Sequence, residues 1–212
     1  RYAAITLSGK NANCFGSGFT FRRLHIENMI AGPYINYNTS VPGGPIYPDS
    51  QHAYLNRDGI TVEWQYVNGT IDQVEIINCS DAGIDLKAGG WRINDTYIEL
   101  CRESMKLWWN GHHGAIESVN PGFAHFMIMN REGTSAPSLP GGVHPPSGPP
   151  DITFDFIKPV TSGGASAKPI FRFEANNAAA PVPGVARILN ADWSGMPGGT
   201  VDASNFSADT KS

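Results

Sequence analysis

The chain has 212 residues, a length that suits one domain with a substantial core. Its 24 glycines and 16 prolines, with only 16% charged residues, favour short strands joined by tight turns over long helices. The formal net charge is -4 and no basic patch is present, so a nucleic-acid partner is not expected. No apolar run is long enough to cross a bilayer, so membrane insertion is not expected either.

The first part of the chain predicts strands separated by turns. Residues 1–20 are rich in Gly and Asn and contain one strand-like stretch, residues 2–7. We expect them either to cap the fold or to continue a longer structure. Residues 21–37 predict two further short strands, and residues 38–52 predict a loop because turn-forming residues fill them.

Regular repetition runs from about residue 53 to about residue 130. A small or turn-forming stretch is followed by an apolar, a polar and an apolar residue, at offsets of about 24, 21 and 21 residues. A fixed period of this size indicates one structural unit stacked on copies of itself. Because each unit contains a short alternating strand, the repeat predicts a parallel β-helix. The four copies are 58–62, 82–86, 103–107 and 124–128.

A second strand repeats in step with the first, over residues 74–79 and 96–101, with an earlier copy at 24–29. Cys79 and Cys101 end the two later copies, so we expect them one above the other on strands about 4.8 Å apart. That spacing permits a disulfide. It also suits two free thiols that fill the interior as small apolar side chains, and this second interpretation is favoured.

Alternation divides the strand residues between an inner and an outer face. Ile60, Ile84 and Met105 are predicted to point inward in one row. Side chains of an outward column would lie about 4.8 Å apart on neighbouring strands and about 9.6 Å apart on next-nearest ones, a spacing that suits a binding or catalytic site. The predicted outward columns are Thr61, Asp85, Lys106 and Met127, and Glu75 with Tyr97 and His25.

The last third of the chain predicts a second loop and three more strands. Residues 132–151 are dense in Pro and predict an extended loop. Residues 201–212 are small and polar and predict a flexible tail. No domain boundary is indicated, so the whole chain, 1–212, is predicted to be one domain. The three strands are predicted at 152–156, 170–173 and 185–188.

Residues 71–86, Ile-Asp-Gln-Val-Glu-Ile-Ile-Asn-Cys-Ser-Asp-Ala-Gly-Ile-Asp-Leu, resemble the right-handed parallel β-helix superfamily, with echoes at 24–37, 53–62 and 93–107. This superfamily includes pectate-lyase-like enzymes and phage tailspike proteins. The resemblance covers about half of the chain well. It implies an all-β fold: a single-stranded right-handed parallel β-helix, or solenoid, here with two long Pro/Gly-rich loop insertions.

The catalytic motifs of the superfamily are not carried over. Residues 111–114, Gly-His-His-Gly, are a distorted echo of the Gly-His-Gly motif of the hydrolases, and their Asp-Asp and Arg-Ile-Lys motifs are missing. The lyases have a carboxylate cluster for calcium with a nearby Arg or Lys. Here only Asp81 and Asp85 lie close together near Lys106. The resemblance therefore implies architecture far better than activity.

The first candidate site is the segment Trp108-Trp109-Asn110-Gly111-His112-His113. Flat aromatic faces stack on the C–H surfaces of sugars, and Asn and His supply directed hydrogen bonds. These residue types predict a saccharide-binding surface formed by Trp108, Trp109, His112 and His113. The alternative is that one tryptophan packs in the interior and the histidines lie in a solvated turn.

The second candidate site consists of Asp81, Asp85, Glu99 and Glu103, with Lys106 nearby. Glycoside hydrolysis needs two carboxylates, about 5–5.5 Å apart for retention or about 6.5–9.5 Å apart for inversion, and stacked strands offer both distances. The alternative is ordinary surface charge with an exposed Asp85–Lys106 pair, which contributes little to stability. No metal site or cofactor is predicted, because adjacent histidines on a strand point opposite ways and no third ligand is suitably spaced.

Three functions follow as expectations. The favoured one is a carbohydrate-engaging surface protein that resembles a phage tailspike or tail-fibre segment and binds a polysaccharide or surface glycan on the β-helix face. The alternatives are a polysaccharide lyase or glycoside hydrolase, and a structural spike or adhesin module that binds no glycan. Because a short stack has open ends, a homotrimer or a place within a larger fibre is expected, on a virion or in the extracellular space.

Overall fold

The computed structural model describes residues 2–8, 16–29, 57–63, 67–130, 150–165, 167–175, 184–197 and 206–210. In these ranges the regular elements are all strands, and every pairing between them is parallel. The predicted all-β fold with parallel strands is therefore confirmed. Among the same residues there is no helix that could span a membrane. Loop 38–52 and all but the last two residues of loop 132–151 lie outside the described ranges.

The strands form two sheets of seven strands each. Sheet 1 contains, in spatial order, β1 (Tyr2–Ser8), β4 (Arg57–Glu63), β6 (Ala82–Leu86), β8 (Glu103–Leu107), β10 (Ala124–Asn130), β12 (Phe171–Ala175) and β14 (Phe206–Thr210). Sheet 2 contains β2 (Gly16–Arg22) and β3 (His25–Glu27), both on β5 (Val67–Ile77), then β7 (Trp91–Glu99), β9 (Gly111–Val119), β11 (Asp151–Val160) and β13 (Val185–Ile188).

From β4 onward the chain alternates between the two sheets, and each strand pairs with the strand two places further along. β1 joins sheet 1 and β2 joins sheet 2, so the first residues extend the two sheets. At the other end, β14 pairs with β12 in register. This strand lies inside the segment predicted to be a flexible tail, and its backbone extends the hydrogen-bonding ladder of sheet 1 there.

The core lies between the two sheets and follows the repeat. Ile60, Ile84 and Met105 are paired in one row, which Phe126 continues, and all four side chains are fully buried. In sheet 2, Ile76 pairs with Ile98 in the same way. The predicted inward row is confirmed. Cys79 and Cys101 are buried at the ends of their repeats as free thiols, the favoured interpretation of the sequence.

Packing between the two sheets explains why glycine occupies the second position in two copies of the repeat, at Gly59 and Gly83. A Cβ atom on Gly83 would lie 2.6 Å from Cγ2 of Ile98 and 2.8 Å from the carbonyl oxygen of Ser104. Gly59 faces Ile76 in the same way, with a distance of 2.6 Å to its Cγ2. An isoleucine of sheet 2 therefore fills the space over a glycine of sheet 1, and no side chain fits at the glycine position without displacing its neighbours.

A row of residues with left-handed backbone conformation marks one corner of the stack. Asn28, Asn78, Leu100 and Asn120 have φ values of 58°, 59°, 54° and 47°, and each donates its backbone N–H to a carbonyl of the following strand in its sheet. Asn78 also donates its side-chain Nδ2 to Oδ1 of Asn28 at 2.8 Å. Asparagine tolerates this conformation well, whereas a leucine does not.

The two sheets differ in what lies over their outer faces. Every residue of β6 and β8 is buried, whereas β7 and β11 alternate between buried and more exposed residues. Sheet 1 is thus covered on both faces at β6 and β8, a common arrangement for parallel sheets, whereas sheet 2 has one open face. The prediction that the Thr61, Asp85, Lys106 and Met127 column is exposed is wrong, because these side chains are only 2–4% exposed.

Candidate binding groove and buried charge cluster

Four residues of the second candidate site do come together, but they are buried. Asp81, Asp85, Glu103 and Lys106 are each at most 4% exposed. The ammonium of Lys106 contacts the carboxylate of Asp81 and lies 3.6 Å from Oε2 of Glu103. Asp85 pairs with Lys87 at 2.5 Å, a contact that the sequence analysis did not anticipate. We refer to these five residues with Asp58 and Arg102 as the charge cluster.

Asp58 is the member of the charge cluster that the sequence analysis missed. Its Oδ1 accepts a hydrogen bond from the backbone of Ala82 at 3.0 Å, and its Oδ2 accepts one from the hydroxyl of Thr61 at 2.7 Å. The sequence feature that could have identified Asp58 is its place at the first position of the 58–62 copy of the repeat. Burial, with the nearby charges of Asp85 and Asp81, raises the pKa of Asp58 to about 8.

Glu103 is likewise protonated more readily than an ordinary carboxyl group. Burial raises its pKa to about 7, against the opposing influence of Lys106 and Arg102. Arg102 Nη1 lies 2.6 Å from Oε1 of Glu103 and 3.8 Å from Oδ1 of Asp81. Asp58 and Glu103 therefore hold protons near neutral pH, which is a property of acid–base sites, but the carboxylates of the charge cluster are at most 2% exposed and a polymer could not contact them in this conformation.

The tryptophans of the first candidate site form part of the cover over the charge cluster. The indole Nε1 of Trp108 donates to Oδ1 of Asp85 at 2.7 Å, and the ring lies 5.8 Å from the ammonium of Lys87. The indole Nε1 of Trp109 donates to the carbonyl oxygen of Lys87 at 2.7 Å. Both side chains are half-buried. Their polar edges are thus directed inward, and only part of each ring is available to a ligand.

His112 and His113 lie on β9 and point to opposite faces, as expected for neighbours on a strand. His112 is exposed and lies 2.5 Å from Asp155. His113 is 1% exposed, accepts a hydrogen bond from the backbone of Ile93 and packs 5.7 Å from the ring of Phe154. Burial lowers the pKa of His113 to about 4. The structure therefore places His113 in the interior and not on the surface predicted for sugar contact.

The open face of sheet 2 carries a groove of about 370 Å³. It crosses four neighbouring strands, β5, β7, β9 and β11, and the half-buried Tyr97 and Phe156 line it beside polar side chains. Gln73 and Asp95, two of the lining residues, have left-handed φ values of 53° and 46°. The lining residues are Gln73, Val74, Glu75, Asp95, Thr96, Tyr97, Ala115, Ile116, Glu117 and Phe156.

The polar groups of the groove are held by pairs on the same face. Nδ1 of His25 lies 2.6 Å from Oε2 of Glu75, and Nζ of Lys158 lies 3.0 Å from Oε1 of Glu117. The hydroxyl of Tyr97 donates to Glu99 at 2.8 Å. Burial, followed by this hydrogen bond and the surrounding glutamates, raises the pKa of Tyr97, so its hydroxyl stays protonated.

The predicted column of Glu75 and Tyr97 with His25 is confirmed, since these residues are paired across β3, β5 and β7. Glu117 pairs directly with Tyr97 and extends the same column. The register of the repeat in the sequence was therefore sufficient to predict the position of Glu117. Phe156 follows from the pairing of β11 with β9, where it lies beside Ala115. The alternation in the sequence predicts the column, whereas it does not predict the groove.

No protein-family model, curated protein or solved structure matches the chain. In the part of the chain that the structure describes, no group of three or more His, Cys, Asp or Glu side chains is placed to hold a metal ion.

A hydroxyl–imidazole chain in the interior was also missed. Oγ of Ser104 lies 2.6 Å from Oγ of Ser118, which lies 2.7 Å from Nδ1 of His125, and all three side chains are fully buried. Burial lowers the pKa of His125 to about 3. Ser118 pairs with Ile98 on the neighbouring strand, so the isoleucine–glycine contact of the lower repeats becomes a serine–serine contact here. The group is an internal hydrogen-bonded contact between the sheets, closed to substrates.

Proposed function

We propose that the chain is a right-handed parallel β-helix that binds a polysaccharide in the groove on the open face of sheet 2. The strand alternation and the uninterrupted rows of paired residues support the β-helix. The single observation that carries the binding proposal is the groove itself, with the rings of Tyr97 and Phe156 beside Gln73, Glu75 and Glu117.

The groove has the chemistry that sugar recognition requires. Aromatic rings offer flat apolar faces to sugar C–H groups, while carboxylate and amide side chains accept and donate hydrogen bonds to hydroxyl groups. Four parallel strands span about 14 Å between the outermost two, so the groove suits an extended oligomer better than a single sugar. The outer face of sheet 1 is buried at β6 and β8 and offers no comparable open surface there.

The proposal includes assembly into a homotrimer or a larger fibre on a virion or in the extracellular space. Its support is the exposure of large apolar side chains near both ends of sheet 2: Phe19 on β2, Val185 on β13 and Leu189 just after β13. Strands at a sheet end also present unpaired backbone groups, which favour addition of further strands or partner chains.

A glycan array followed by affinity measurements tests the binding proposal. Tyr97→Ala should weaken binding of the selected polysaccharide about tenfold, which corresponds to about 1.4 kcal/mol of lost contact. Thr153→Ala, on the same sheet outside the groove, is the matched control and should leave affinity unchanged. If Trp108→Ala abolishes binding while Tyr97→Ala does not, the ligand binds at the 108–112 segment and the groove proposal is wrong.

A lyase or hydrolase remains the second candidate because one observation favours it. Asp58 and Glu103, with pKa values raised to about 8 and about 7, lie in one cluster with Lys106, as paired acid and base groups would. Their burial weighs against it. Release of reducing ends from the bound polysaccharide, lost in Asp85→Asn, would establish the enzyme. Binding without release would favour the carbohydrate-binding protein. Absence of both binding and release would indicate a structural module.

A further inference from the structure

All charged residues that line the groove are acidic. They are Glu75, Asp95 and Glu117, and Glu99 lies beside them as the acceptor of the Tyr97 hydroxyl. No Lys or Arg is among the lining residues. Burial, followed by the hydrogen bond to Glu99 and the charges of Glu99, Glu117 and Glu75, raises the pKa of the Tyr97 hydroxyl. Three glutamates thus lie near one of the lining residues, Tyr97.

These carboxylates are compensated only in part. Glu75 has His25 and Glu117 has Lys158 as partners, and both pairs are substantially exposed, with 33–51% of each side chain accessible. The side chain of Asp95 is exposed and has no hydrogen bond or ion pair with the described part of the chain. A cationic ligand would therefore meet one unpaired carboxylate and others whose partners it can replace.

We infer that the groove selects a polysaccharide that carries free amino groups and rejects acidic polysaccharides. This inference rests on the proposed function, and it names the class of sugar polymer that the same groove binds. An ammonium group on the polymer would pair with Asp95 in an ion pair assisted by hydrogen bonds, and ammonium groups further along the polymer would meet Glu75 and Glu117. A uronate or sulfate group in the same place would meet like charges, which disfavour the complex.

Fluorescence polarisation with three labelled hexamers tests the inference. The probes are a glucosamine hexamer, its fully N-acetylated form and a galacturonate hexamer, at pH 5.5, where ordinary Asp and Glu carboxyls are ionised and the sugar amine is protonated. The glucosamine hexamer should bind about tenfold more tightly than the acetylated one. This preference should shrink as salt is raised from 0.05 M to 0.5 M, because exposed charges are screened.

Two variants locate the effect. Asp95→Asn removes the unpaired charge and keeps a residue that tolerates the left-handed backbone, so it should reduce the preference about threefold. Asp151→Asn makes the same change in net charge at an exposed carboxylate on β11 that pairs with Arg187 outside the groove. It is the matched control and should leave the preference unchanged.

Equal binding of the three hexamers, or tighter binding of the acetylated or galacturonate hexamer, overturns the inference and leaves the proposed function intact. An equal effect of the two variants also overturns it, since the preference would then follow net charge and not the groove. Absence of binding to every hexamer overturns the inference as well, and the glycan array then decides separately whether the chain binds any polysaccharide.

Discussion

Replacing Leu100 tests the left-handed corner of the stack. Its φ is 54°, in a row where the three equivalent residues are asparagines. A side chain with a Cβ atom costs about 1–2 kcal/mol in this conformation, whereas glycine has no such strain. Against this, glycine loses about 0.5–1 kcal/mol more backbone entropy than alanine on folding. The balance predicts that the Leu100→Gly variant is about 0.5–1 kcal/mol more stable than Leu100→Ala.

The comparison of Ala with Gly removes the effect of the leucine side chain, which is lost in both variants. Ala115 on β9, which has an ordinary negative φ, provides the control: Ala115→Gly should destabilise by about 0.5–1 kcal/mol. Urea unfolding gives the free energy of unfolding of each variant. The difference between glycine and alanine should be positive at position 100 and negative at position 115, and each kcal/mol corresponds to a melting-temperature difference of roughly 2–4 °C. If glycine is less stable than alanine at both positions, the left-handed corner at Leu100 is wrong.

Three further changes test the packing and the charge cluster. Gly83→Ala should destabilise by about 1–3 kcal/mol because its Cβ would overlap Ile98; unchanged urea unfolding would disprove that contact. Lys106→Met should cost about 3–5 kcal/mol, since it leaves Asp81 buried without its ammonium partner, and a loss below 1 kcal/mol would mean that the cluster is solvated. From pH 6.5 to 8, folded Asp58, with a pKa of about 8, still binds a proton that its unfolded form has released. Stability should therefore fall as pH rises through this window, and Asp58→Asn should flatten the slope in unfolding measured at each pH; an equal slope in the variant would contradict the raised pKa.

The row of Ile60, Ile84 and Met105 could be predicted because each strand is short and alternates, and the period fixes which residues stack. The same reasoning placed Glu75 beside Tyr97. Both relations depend only on local alternation and on a constant repeat length, which are present in the chain as written. Pairing in parallel then follows from the direction in which each repeat runs.

Exposure could not be predicted in the same way. Alternation places Asp85 on the face opposite the core, but whether that face meets water depends on chain segments that pack over it from a distance. Trp108, which donates to Asp85, is one such cover and comes from the next repeat. The groove includes left-handed backbone at Gln73 and Asp95, and only the Asp is a residue type that favours this conformation.

The central claim, that the groove of sheet 2 engages a polysaccharide, is tested most directly by hydroxyl-radical footprinting with mass spectrometry. The measurement compares the oxidation of aromatic side chains with and without a saturating polysaccharide chosen from the glycan array. We expect Tyr97 and Phe156 to be protected while Trp108 and Phe19 stay as reactive as in the free chain. Protection of Trp108 with Tyr97 and Phe156 unchanged would contradict the account.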